Sequence, residues 1–142
     1  MIEHVCAYDS AKKTPLTIVA FNRLDYLDLY IDRILTFIEP FDKNLLLLYK
    51  LIYSHINSSI VLGALLKKLI NCEPKDFFYE LVNLNDDMHR NLLHLAFLYN
   101  VDDESIEILM KYGADKKTIE ATDLAGNTLL DYAYFGKKVK FY

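Results

Sequence analysis

Four histidines, two cysteines and two pairs of adjacent acids are the side chains with which this chain could do chemistry. His94 is the most inviting, because an imidazole near neutrality can serve as a general base. A base needs a nucleophile or a cradle for its substrate. No GxSxG, GxxxxGK[ST] or GxGxxG segment is present to supply one. His4, His55 and His89 show no HExxH or other ligand spacing, and Cys6 and Cys72 form no CxxC pair. Zinc requires convergent Cys and His ligands, so neither a metal nor another cofactor is expected. Asp86-Asp87 and Asp102-Asp103 could be imagined as paired carboxylates, but their positions suit turns and helix caps. Lys137, Lys138 and Lys140 make a small basic end that fits solvent or a helix terminus better than a phosphate. No residue is expected to be catalytic, and the chain is expected not to be an enzyme.

The bulk composition narrows the classes further. The chain has 142 residues, 53% of them apolar, which allows one domain of ordinary size, taken here as 1–142, with a substantial core. A net charge of −4 and a pI near 5.5 argue against nucleic acid as a partner, which would demand a basic footprint. MIEHVCAYDS has no basic start and no apolar run of signal-peptide length. No segment approaches the ~18 apolar residues of a membrane span. The expectation is a cytoplasmic protein without membrane contact, or one in a host cytoplasm if the source is a pathogen. Cys6 and Cys72 are expected as buried free thiols.

Apolar residues recur at three- and four-residue spacing with almost no strand-like alternation, which predicts an all-α chain. Four segments align: DSAKKTPLTIVA from Asp9, EPFDKNLLLLYK from Glu39, DDMHRNLLHLAF from Asp86 and DLAGNTLLDYAY from Asp123. Each opens on an acid, has Thr or Asn five residues later, and continues as an apolar helix. The matched leucines, Leu16, Leu46, Leu93 and Leu130, stand 30, 47 and 37 residues apart. Thr14, Asn44, Asn91 and Thr128 can cap the helices, Pro15 suits a first helical position, and Ala96 and Ala133 permit close contact. Asp102 or Asp103 can cap a second helix with Glu104 near its positive end, and Gly113 can end that helix in the left-handed conformation. Helices this short are marginal alone, so they must bury their faces against neighbouring copies.

These segments resemble the ankyrin repeat, with its period of about 33 residues and its T-P-L-H-x-A signature. Thr14-Pro15-Leu16 matches the start of that signature, Leu93-His94-Leu95-Ala96 its end, and Gly126-Asn127-Thr128-Leu129-Leu130 the family's G-x-T-x-L. The departures are Lys12, Asp42 and His89 for the hairpin glycine, Thr17, Leu47 and Asp131 for the signature histidine, and Tyr49 for a small alanine. The resemblance implies a helix-turn-helix solenoid of about four units, near 9–38, 39–85, 86–122 and 123–142. It makes His94 a structural residue bonded to loop backbone. It also implies protein binding through the concave face of hairpin tips and first-helix ends. On that face fall Lys13, Phe21, Asn22, Asp87, Met88, Arg90, Leu98, Tyr99, Leu124 and Phe135. Met88 and Tyr99 are expected to be exposed, and Leu51 and Ile52 to be core.

Two local features break the pattern. About 14 extra residues enter the second unit, within 58–85. There SSIVLGALLKKLI reads as a helix capped by Ser58 or Ser59, and DFFYELV as a short one. Phe77, Phe78 and Leu81 are expected to cover the second unit, the alternative being a partner-binding protrusion. The last unit reaches only its first helix before GKKVKFY, leaving an end that a tail, a continuing chain or another subunit would cover. The expected function is a non-catalytic protein-interaction module, a monomer or weak oligomer through that end. The alternative is a targeting or regulatory segment of a larger enzyme or pathogen effector.

Overall fold

The computed structural model describes residues 23–72 and 76–136. Among them the regular structure is entirely helical, and no helix is long and apolar enough to cross a membrane. The chain divides into two compact units, Met1–Glu73 and Pro74–Tyr142. The division falls inside the segment expected as an insertion.

The first unit contains α1 (Leu24–Ile38), α2 (Leu45–Ser54) and α3 (Ser59–Leu69). Leu27, Ile31, Ile34, Leu35 and Ile38 of α1 are buried at three- and four-residue spacing, the stripe that faces a core. α1 packs against α3, where Val61, Leu62, Leu65, Leu66 and Leu69 are fully buried. Lys68 Nζ and Asp32 Oδ1 meet at 2.9 Å on the rim of this pair. At that exposure the bridge contributes less than about 1 kcal/mol. The residue before a proline avoids the helical region, so α1 ends at the extended Glu39, before Pro40.

Two expectations for this unit are corrected, and one aligned leucine differs from its counterpart. Asn44 does not cap α2; its Nδ2 donates to the Ile38 carbonyl at 2.7 Å and ties the turn back to α1. Leu46, aligned with the buried Leu93, is 62% exposed. Ser58 sits at the start of α3 without a side-chain cap bond. At the head of this segment the Glu39 N–H is spent on the Leu35 carbonyl that closes α1, so Glu39 does not open a turn of the kind Asp86 and Asp123 open in the second unit. Leu51 and Ile52 are fully buried, as expected.

The second unit contains α4 (Asp76–Val82), α5 (Leu92–Leu98), α6 (Asp103–Gly113), α7 (Lys116–Glu120) and α8 (Leu129–Phe135). α5 packs against α4, α6 and α8. Three of these short helices begin with reciprocal caps, in which the side chains of the cap residue and the third helical residue each satisfy the other's N–H. The pairs are Asn91 with His94, Asp115 with Thr118, and Thr128 with Asp131. Asp102 caps α6 by accepting from the Ser105 N–H.

Phe77, Phe78 and Leu81 are buried, but α4 packs on α6 and α5. The helices they cover within this compact unit belong to the third expected unit. Gly113 is not left-handed: positive φ among glycines occurs at Gly126. Gly113 belongs to the last turn of α6, where a Cβ would run into the Val82 side chain, 2.8 Å from its Cβ, and stand 3.2 Å from Phe78 Cδ1. Glycine is needed there because two helices approach closely. Gly136, just past α8, plays the same part against the Phe97 backbone carbonyl.

Candidate functional site

Two turns precede the first helices of this unit, and each is built on one carboxylate. The Asp86 N–H donates to the Arg90 carbonyl, the His89 N–H to the Asp86 carbonyl, and Asp86 Oδ1 accepts from the N–H groups of Met88 and Arg90 at 2.9 Å each. The second turn repeats these bonds 37 residues on. Asp123 N–H donates to Asn127, Gly126 N–H to Asp123, and Asp123 Oδ1 accepts from Ala125 and Asn127 at 2.9 and 2.8 Å. The left-handed position falls on His89 (φ 60°) in the first turn and on Gly126 (φ 82°) in the second. Histidine can adopt that conformation at a cost that glycine avoids. The offset between Leu93 and Leu130 in the sequence is therefore an offset of backbone geometry as well. The turns touch directly, since the Leu124 N–H donates to the Met88 carbonyl at 3.0 Å.

The second oxygen of each acid fixes the turn to something larger. Asp86 Oδ2 takes the Arg90 Nε at 2.8 Å. Asp123 Oδ2 accepts the Tyr132 hydroxyl at 2.6 Å and Asn127 Nδ2 at 3.2 Å. The Tyr132 hydroxyl, followed by the Asn127 bonds, holds the Asp123 carboxyl at about 2. Burial first, then the same hydroxyl–carboxylate bond, pushes Tyr132 up to about 12. The Tyr132 ring stands edge-on to His94 with centroids 4.8 Å apart.

His94 is fully buried, and both ring nitrogens are engaged. Nδ1 accepts the Asn91 N–H at 3.1 Å, so the proton belongs on Nε2, which reaches the Ala121 carbonyl at 3.0 Å. Burial lowers its pKa, keeping the ring neutral. A histidine with both nitrogens bonded to backbone has none left to take a substrate proton. His55 likewise binds the Leu51 carbonyl at 2.7 Å, and burial lowers its pKa. Cys72 is a half-buried free thiol whose Sγ lies 3.3 Å from the Lys68 carbonyl. Burial, then the charges of Glu39 and Asp32, raises its pKa, the reverse of what a reactive thiolate needs. Among the described residues no cluster of His, Cys, Asp or Glu is placed to hold a metal.

The expected binding residues distribute unevenly. Met88 (47% exposed), Leu124 (61%), Tyr99 (40%) and Phe135 (61%) lie in solvent, and Asp87 is exposed as well. Leu98 is half-buried. Arg90 departs from expectation: its side chain is 19% exposed and turned into its own turn, on Asp86, so it acts as a turn brace. Lys13, Phe21 and Asn22, with the motif residues Thr14, Pro15 and Leu16, lie outside the described residues, as do Cys6 and the lysines of the C-terminal end. Of the remaining motif residues, Asn91 caps α5 and also donates to the Thr118 carbonyl at 3.3 Å, Ala96 is fully buried, and Thr128 caps α8. Sequence reasoning missed Asp123, Tyr132 and Thr118. The signal for Asp123 was its matching place with Asp86 at the head of a unit. Comparison with protein-family models, with curated proteins and with solved structures finds no match.

Proposed function

We propose that this chain is a non-catalytic protein-binding module of ankyrin type, with about four helix-turn-helix units of which the second is irregular. Its binding face is the row of turn tips and first-helix ends, carried in the second compact unit by Met88, Leu124, Tyr99 and Phe135. One observation carries the reading: two turns with the same backbone and Oδ1 hydrogen bonds, joined by the Leu124 to Met88 bond, each hold an apolar side chain out in solvent. Exposed apolar groups on an ordered frame favour partner binding, because little ordering entropy is lost. The partner is another protein in the cytoplasm, of the cell or of a host, and nucleic acid and membrane are not partners. The alternative is that the module targets or regulates a larger enzyme or effector whose chemistry lies elsewhere.

The test is capture of cytosolic proteins on immobilised chain, compared with Met88→Asp/Tyr99→Asp. Circular dichroism first establishes that both are folded. A protein held by wild type and lost from the folded variant supports the reading. Equal capture by both removes the binding role from this face.

A further inference from the structure

The turn-tip row contains one side chain whose polarity a mild oxidant can invert. Of Met88, Leu124, Tyr99 and Phe135, Met88 alone carries a thioether, and it is 47% exposed. Its main chain is held on both sides. The Met88 N–H donates to Asp86 Oδ1 at 2.9 Å, and the Met88 carbonyl accepts the Leu124 N–H at 3.0 Å. The 37-residue offset places Ala125 at the equivalent position of the second turn, where its N–H donates to Asp123 Oδ1 at the same 2.9 Å. One register position therefore carries a methyl group in one turn and a thioether chain in the other, over the same bonds. The frame draws nothing from the Met88 side chain, so a chemical change there alters the surface and leaves the turn standing. Met110, the other methionine among the described residues, is half-buried in α6.

We propose that Met88 is a reversible oxidation site, and that its sulfoxide turns off binding at the turn-tip face. The regulatory half rests on the protein-binding reading; the site itself rests on the exposed thioether and the frame beneath it. The oxidant is hydrogen peroxide. The sulfur lone pair attacks one peroxide oxygen, the O–O bond breaks, and the second oxygen leaves as water. Sulfur loses two electrons and the peroxide gains them. A methionine sulfoxide reductase reverses the change: the sulfoxide oxygen leaves as water while two thiols of the reductant become a disulfide. Oxidation puts an S–O dipole where an apolar group stood, and burying that dipole against a partner without a hydrogen bond is unfavourable. Leu124 and Phe135 offer peroxide no such group.

The full chain is treated with hydrogen peroxide and then with dithiothreitol, which restores oxidised thiols and leaves the sulfoxide. Peptide mass spectrometry reads the gain of one oxygen at each methionine. Met88 is expected to oxidise about fivefold faster than Met110 or more, in step with exposure, with the circular dichroism spectrum and urea midpoint unchanged. Equal rates, or a lower midpoint once Met88 is oxidised, overturn the site. Capture of cytosolic proteins is then compared for untreated chain, sulfoxide chain and sulfoxide chain returned by the reductases. The expected result is about a tenfold fall in capture on oxidation, restored by the reductases, reproduced by Met88→Gln and absent from peroxide-treated Met88→Leu. Equal capture by thioether and sulfoxide overturns the switch while the binding reading stands. The same fall in peroxide-treated Met88→Leu places the sensitive group elsewhere and overturns the switch too. No capture by the untreated chain is failure of the binding reading itself, and the switch falls with it.

Discussion

Replacing Gly113 by alanine separates two reasons for a glycine. In a solvent-facing helical position alanine is favoured over glycine by about 1 kcal/mol. At a left-handed position alanine costs roughly 1–2 kcal/mol with no regard to neighbours. Neither applies here, because Gly113 is helical and a new Cβ would press into Val82, which is fully buried and branched at its own Cβ. Overpacking of this kind costs about 1–3 kcal/mol. Subtracting the propensity gain leaves a net loss of about 1–2 kcal/mol, a fall in melting temperature of several degrees for a unit of this size. The assay is urea unfolding followed by circular dichroism, since the chain has no tryptophan. The decisive comparison is Val82→Ala made alone and together with Gly113→Ala. Removing the valine methyls opens the space the new Cβ needs, so the double variant should be more stable than the sum of the singles by about 1 kcal/mol or more. A stabilising Gly113→Ala, or strict additivity with Val82→Ala, would refute the close-approach argument.

Further outcomes follow from the same geometry. Gly136→Ala should cost more than Gly113→Ala, about 2 kcal/mol or above, because the obstacle is the Phe97 backbone carbonyl, which cannot rotate away; equal melting curves would contradict this. His89→Gly should stabilise by up to about 1 kcal/mol, as the left-handed strain at φ 60° is relieved, while Gly126→Ala should cost about as much with no steric partner to blame. Ala96→Leu, at a fully buried site in α5, should lose about 1–3 kcal/mol in the same unfolding assay. Acid should unfold the chain in two stages. His94 and His55 have lowered pKa values, so the unfolded chain binds protons first and stability falls as pH drops from 6.5 toward the depressed native values. Asp123 has a lowered pKa too, so its contribution is present above 3.8 and is lost as pH falls toward about 2. Unfolding midpoints measured from pH 8 to pH 2 check both windows, and a flat profile from 7 to 5 would argue against neutral buried histidines.

The parts of this structure that were legible in the sequence are those written in local chemistry. Helix-forming periodicity and the caps at Asn91, Asp102 and Thr128 each depend on a few neighbouring residues. The core role of Leu51 and Ile52 and the exposure of Met88 and Tyr99 were readable from the aligned units. What failed depended on which of several possible partners a side chain takes. Gly113 looks like a helix stop until Val82, 31 residues earlier, is placed against it. Arg90 looks like a surface cation until its guanidinium is seen on Asp86. Asn44 carries the cap residue type, but the Ile38 carbonyl competes for its side chain and wins. Phe77 and Phe78 announce burial from their chemistry, yet nothing in their order says that α6 would be the helix they cover.

The carboxylate-centred turns divide their five positions into two kinds. Frame geometry rests on the acid, on the backbone amides it gathers and on the left-handed position at His89 or Gly126, so the first two tip side chains carry none of it. Asp87-Met88-His89 and Leu124-Ala125-Gly126 share no residue, yet the bonds beneath them are the same. Mutation can rewrite the first two tip positions without reopening the folding problem, provided that the aspartate and the left-handed residue stay. Under the proposed binding role, such a surface can change what it recognises faster than it changes shape, and selection for a new partner would leave its record at the tips while the acids below them stood still.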